Sequence, residues 1–221
     1  MAPFVHILVL MVALMTAPMA LAQTAAPQGG KPIKMVVLGD SLSAGLGLQA
    51  SAAFPERLQK ALQTKGIAVD MTNAGVSGDT SSGGRDRLDW SVPEGTEAVI
   101  VELGANDALR GIDPKVTRSA LTDILTRLKA RGIAVLLCGM EALPIHGWAY
   151  THAFHQAYLD LAARYAVPLV PFILLNVIGN PRLMQADHAH PNADGARAIA
   201  DVIWPYLEEI LKKPSAISPQ P

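Results

Sequence analysis

Five short apolar runs, at residues 33–38, 67–73, 98–103, 133–138 and 167–170, alternate with stretches of helical spacing. Strand-sized runs separated by helices point to the α/β class, a parallel sheet with helices on both faces. The first and fourth runs are nearly continuous in Val, Leu, Ile and Met, as strands buried on both faces are. The second alternates, with Ile67, Val69 and Met71 set against Ala68, Asp70 and Thr72, which suits an edge strand with one wetter face. The fifth holds Pro168, which cannot donate to a ladder on both sides and also favours an edge. Edges at the second and fifth runs match a five-stranded flavodoxin-like sheet of order 2-1-3-4-5.

The helices between the runs have readable ends. Pro55 suits the first turn of a helix that buries Phe54, Leu58 and Leu62, and Gly66 ends it. Asp113 caps a helix starting at Pro114, with a stripe of Leu121, Ile124, Leu125 and Leu128 and a stop at Gly132. Further helices are expected over 148–165 and 193–211. A weaker pattern covers 78–88, where Gly83 and Gly84 sit inside it. There is no internal repeat, and one domain spans 33–213.

Residues 1–22 read as a signal peptide. The apolar run 7–15 is too short to span a bilayer, which needs about 20 residues. Ala20-Leu21-Ala22 fits a small-x-small cleavage site. The start carries no Lys or Arg, so an uncleaved anchor is the alternative. Residues 23–32 form a polar, Gly- and Pro-containing flexible lead-in, and 214–221 a disordered tail. These features place the protein in the periplasm or outside the cell, with no stable membrane insertion once the leader is removed. A net charge of −1 offers no electrostatic footprint for nucleic acid. The single Cys138 cannot form an internal disulfide, and its place after an apolar run marks it as a buried, inert thiol.

Each of the first three strand ends is followed by a polar or glycine cluster: Gly39-Asp40-Ser41, then Asn73-Ala74-Gly75-Val76-Ser77-Gly78-Asp79, then Gly104-Ala105-Asn106-Asp107. In an open parallel sheet these loops meet at one rim, where ligands bind. Acyl transfer needs a nucleophile and donors aimed at the oxygen that becomes negative. Ser41 can supply the nucleophile and its own N–H, Gly75 a second backbone N–H, and Asn106 a side-chain amide. Turn chemistry uses the same residue types, so any one cluster alone carries little.

A base and its orienter lie near the C-terminus. Asp187 and His190 are three residues apart, so one turn holds the carboxylate against the imidazole, fixing its tautomer for proton transfer. The alternative is a metal site built from Asp187, His188 and His190, with His152 and His155 from a helix. His152 and His155 are more simply a solvated helix face. Two apolar stretches near the rim, Leu143-Pro144-Ile145 with Trp148 and residues 173–178, either line an acyl site or are packed core.

Four blocks together, GDSLSAG at 39–45, NAGVSGDTS at 73–81, LGANDALRG at 103–111 and DHAHPNADG at 187–195, resemble the SGNH (GDSL) hydrolase family. The similarity runs over nearly the whole mature chain and is nearest the family's bacterial periplasmic arylesterase and thioesterase–lysophospholipase branch. It implies a three-layer α/β/α sandwich and a serine esterase needing no cofactor or metal, acting on small acyl esters or thioesters. It places the nucleophile on Ser41, the oxyanion-hole glycine and asparagine on Gly75 and Asn106, and the Asp–His pair on Asp187 and His190. Carbohydrate O-acetylester hydrolysis is the alternative reaction. A periplasmic metal-binding protein and a fold-bearing module without turnover are the non-enzymatic ones. One residue departs from the family pattern: His188 stands where glycine is usual, a costlier choice if that position has φ > 0.

Overall fold

The computed structural model describes residues 31–211. In chain order it contains β1 (Ile33–Gly39), α1 (Ser41–Ala44), α2 (Phe54–Thr64), β2 (Val69–Gly75), α3 (Ser81–Asp86), α4 (Leu88–Ser91) and β3 (Ala98–Glu102). Next come α5 (Ala105–Arg110), α6 (Pro114–Ala130), β4 (Ala134–Cys138), α7 (Trp148–Tyr165), β5 (Leu169–Val170) and α8 (Ala193–Leu211). The strands form one parallel sheet of order β2-β1-β3-β4-β5, as the two edge signals required. Helices α2 and α8 pack together, and α6 packs with α3 and α7, giving the layers of the sandwich. The expectations for residues 1–22, for most of 23–32 and for 214–221 lie outside the described residues.

The core follows from the apolar patterning. Every residue of β3 and β4 is buried, and so are Phe54, Leu58 and Leu62 of α2 and Leu121, Ile124, Leu125 and Leu128 of α6. Each buried Val, Leu, Ile or Phe among them contributes about 1.5–3 kcal/mol over its exposed state. The caps form as the sequence implied: Pro55 lies in the first turn of α2, and the Asp113 carboxylate accepts from Lys115 N–H at 2.9 Å. Cys138 is fully buried, and burial pushes its thiol pKa well up, which removes the reactive thiolate.

Three boundaries differ from the sequence reading. β2 is shifted to Val69–Gly75, because Ile67 N–H closes the end of α2 on Leu62 O and the ladder to β1 runs on to Gly39↔Gly75. β5 shrinks to two residues, the proline before it contributing only its carbonyl, which accepts from Leu137 N–H. The expected helix over 78–88 begins at Ser81, capped by Thr80, and gives way to α4. Gly84 sits there for close packing: a Cβ would meet Leu103 Cδ1 at 2.3 Å.

Candidate active site

Where β1 ends, Asp40 caps the one-turn helix α1, its Oδ1 accepting from Leu42 N–H at 3.0 Å, and Gly45 closes the turn at φ 69°. Ser41 is thus the first residue of a helix immediately beyond a buried strand, with its Oγ directed out of the sheet edge. The turn is tight enough to demand glycine at 39, since a Cβ there would meet Ser43 Oγ at 2.0 Å and Glu102 Oε2 at 2.6 Å.

His190 comes from the loop before α8, 149 residues along the chain, and its Nε2 lies 3.0 Å from Ser41 Oγ. Its Nδ1 lies 2.7 Å from Asp187 Oδ2. The other carboxylate oxygen accepts from the backbone N–H groups of Ala189 and His190, both at 3.0 Å. These bonds, the His190 N–H first, hold the Asp187 carboxyl well below the usual range. An ionised Asp187 takes the Nδ1 proton as its hydrogen-bond donor, which leaves Nε2 free to accept from the Ser41 hydroxyl. His188 stands between them at φ 56°, the left-handed conformation that glycine would adopt without strain.

Asn106 sits in the first turn of α5. Its amide donates to Asp79 O at 2.9 Å and to Asp40 Oδ2 at 3.3 Å, so it is held beside the residue preceding the serine. Gly75 is the last residue of β2, its N–H donates to Asn73 Oδ1 at 3.0 Å, and a Cβ would fall 2.3 Å from Ala44 N. Its glycine character serves the close approach of α1 to β2. Further along the same loop Gly78, at φ 87°, carries an N–H with no partner among the described residues. The sequence block contains both glycines, and only strand register separates them.

Beneath the serine lies a buried polar network that the sequence reading missed. Glu102, fully buried at the end of β3, accepts from Ser43 Oγ at 2.7 Å and from Asp40 N–H at 3.3 Å through Oε2. Burial, with the Asp40 charge nearby, pushes its pKa well above the usual carboxylate range. Burial also raises Asp40 to about 6, against the opposing bonds from Leu42 N–H and Asn106. Arg87 joins the loops after β1 and β2, donating to Gly39 O and Ala74 O at 2.7 Å each and to Asp79 Oδ2 at 2.5 Å. Asp107 accepts from Ser81 N–H at 2.8 Å, from Ser81 Oγ at 2.5 Å and from Thr117 Oγ1 at 2.8 Å. A buried glutamate and arginine at strand and helix ends are the only sequence signal for this network.

A cavity of about 340 Å³ opens beside Ser41, Asn106 and His190. Both apolar stretches named above contribute. Leu143 and Ile145 line it from one, Leu174 and Ile178 from the other, while Ile173 and Val177 are fully buried core and Trp148 points to solvent. A second hollow, between α2 and α8, contains none of these groups. The late histidines do not gather. His190 faces the serine, while His155, partly accessible on α7, pairs with Glu141 across 2.5 Å. Among the described residues no three His, Cys, Asp or Glu side chains are placed to hold a metal ion.

The chain is similar to known proteins over most of its length. The model of the GDSL-like lipase/acylhydrolase family matches residues 37–198. Esterase TesA of Pseudomonas aeruginosa is 39% identical over 178 residues, covering 80% of this chain and 89% of that protein. Thioesterase 1/protease 1/lysophospholipase L1 of Escherichia coli K12 is 39% identical over 182 residues, covering 82% and 86%. A crystal structure of TesA superposes with a TM-score of 0.76 at 38% identity, over 80% of this chain and 99% of that one.

Proposed function

The chain belongs to the GDSL-like lipase/acylhydrolase family and is a serine ester hydrolase; we propose that its acyl-enzyme forms on Ser41. The observation that carries this assignment is the line Asp187–His190–Ser41, with links of 2.7 and 3.0 Å. The Ser41 hydroxyl donates to His190 Nε2, and as its oxygen bonds to the ester carbonyl carbon the proton passes to the imidazole. Asp187 stabilises the imidazolium. The carbonyl oxygen, now negative, is met by Ser41 N–H and the Asn106 amide, whose longer bond, to Asp40, is the one an oxyanion displaces. Gly78 N–H is the third donor in place of Gly75. The imidazolium then protonates the leaving alcohol or thiol, and water, activated by the same histidine, releases the acid.

The substrates are small acyl esters or thioesters, with lysophospholipids in the same chemical class. A cavity of about 340 Å³ walled mainly by hydrocarbon suits an acyl chain well beyond acetyl, which argues against an O-acetylesterase. We place the enzyme in the periplasm or outside the cell on the composition of residues 1–22, and N-terminal sequencing of the exported protein, starting at Gln23, would test it. Among the described residues no helix is long and apolar enough to cross a membrane. A fluorophosphonate probe tests the nucleophile. It should label the wild type and leave Ser41→Ala unlabelled and inactive with its circular dichroism unchanged; labelling of Ser41→Ala would overturn the assignment.

A further inference from the structure

The acyl cavity has one feature that hydrocarbon recognition does not need. Its wall is built from Leu42, Leu109, Ile145, Phe172, Leu174 and similar side chains, yet Glu141 is among the residues that line it. Glu141 is the only acidic residue in that lining; the other ionisable residues there are His188 and His190, and His190 is committed to Ser41 and Asp187. Glu141 lies three residues beyond β4 and is fixed from behind by α7. His155 Nδ1 meets its Oε1 at 2.5 Å, while Oε2 has no partner among the described residues. The pair is partly exposed, with the His155 side chain 42% and the Glu141 side chain 31% accessible.

A plain alkyl chain filling this cavity would strip water from Oε2 and offer nothing in return. An unpaired polar group costs free energy when it is desolvated, and the cost is largest for a charged one. A chain that carries a donor at that depth avoids the cost and forms a charge-assisted hydrogen bond. Sites built to hydrogen-bond a substrate group discriminate far more sharply than apolar walls do. Resting on the acyl-enzyme reading above, we propose that Glu141, positioned by His155, selects acyl chains bearing a hydrogen-bond donor, a hydroxyl or an ammonium, over plain alkyl chains of equal length.

The test uses p-nitrophenyl octanoate, its derivatives with a single hydroxyl at each carbon from C3 to C8, and its 8-ammonium derivative. kcat/KM is measured for the full chain, for Glu141→Leu and for Glu141→Gln. In the wild type at least one substituted ester should exceed plain octanoate by about tenfold or more, well inside what one satisfied polar group can deliver. Glu141→Leu should lose that preference and raise kcat/KM on plain octanoate. Glu141→Gln, which keeps an acceptor without the charge, should retain the hydroxyl preference and lose any for ammonium. His155→Ala should weaken the same preference through KM with kcat little changed, a split that a purely structural ion pair would not produce. The proposal falls if no substituted ester outruns octanoate in the wild type, or if the preference survives in Glu141→Leu. Failure of the esterase reading would look different: no ester in the set would turn over, and Ser41 would not take the fluorophosphonate.

Discussion

The floor beneath Ser41 and the wall beside it are built on opposite plans. The floor is buried and polar: Asp40, Glu102 and Asp107 are fully buried, Arg87 nearly so, and each holds backbone or side-chain partners from another loop. The wall is exposed and apolar, with Leu109 63%, Leu143 62% and Ile145 69% accessible. Buried hydrogen bonds are directional and costly to leave unmade, so they hold reacting groups to a fraction of an ångström. Apolar contacts are non-directional and tolerate chains of varied length and shape. The directional bonds of the floor therefore serve the chemistry, while the substrate meets a wall that is mainly apolar and carries one acidic residue, Glu141.

The sharpest way to break this contrast is at the triad. His190→Ala should cut kcat by several orders of magnitude, to the residual catalysis that binding and the oxyanion donors alone provide, about 10³–10⁴-fold over water. His188→Gly, two residues away at φ 56°, should keep activity and gain up to about 1 kcal/mol in urea unfolding by relieving the left-handed conformation. The reverse result would exchange the roles of the two histidines.

Arg87→Met tests whether the floor is held by its polar bonds. It leaves the Asp79 carboxylate unpaired and removes one donor each from Ala74 O and from Gly39 O, which keeps Val76 N–H, and should cost about 3–5 kcal/mol in urea unfolding. A loss under 1 kcal/mol would mean that packing alone holds the floor. Asn106→Ala should lower kcat by about 10²–10³ with KM little changed, as for one lost oxyanion donor. A raised KM with kcat intact would move Asn106 from the floor's chemistry to the wall's recognition.

Asp40 gives the floor a pH signature. Its pKa is raised by folding from 3.8 to about 6, so between those values the native state holds a proton that the unfolded chain has released. Stability contributed by this group is therefore present below pH 4 and lost as pH rises to 6, by an amount on the order of 2–3 kcal/mol. Asp187, lowered by folding, acts in the opposite sense, but only as pH falls below about 4. Urea unfolding of Asp40→Asn at pH 4.5 and pH 6.5 should show a smaller fall than the wild type; equal falls would remove Asp40 from the pH response. The smallest effect belongs to the wall. Ile145→Ala should reduce kcat/KM on octanoyl esters by a few-fold, about 1 kcal/mol, and leave butyryl esters nearly unchanged. Equal losses on both would place Ile145 outside the acyl path.

The elements that could be read without a structure are those whose signals are local. The strand order came from two edge signals, alternation at Val69 and Met71 and the proline at 168. Helices α7 and α8 fall within the ranges expected for them, and the Asp187–His190 bond follows from a spacing of three. Ser41 stood out as the candidate nucleophile because a serine on the first turn after a buried strand has few other placements.

What the fold alone decided is non-local. The 3.0 Å contact of Ser41 with His190 joins residues 149 apart. The partners of Glu102 and Arg87 named above come from α1, the ends of β1 and β2 and the residues just beyond them, and the pairing of His155 with Glu141 joins a helix to the loop after β4. Gly75 and Gly78 carry the same chemistry in the sequence, and only the register of β2 against β1 shows that the Gly75 amide is already used. Periodicity and caps are written within a few residues, because they arise from one turn or one pleat of backbone. The partner of a buried polar group depends on which loops the sheet brings to its edge, and that is a property of the packed chain.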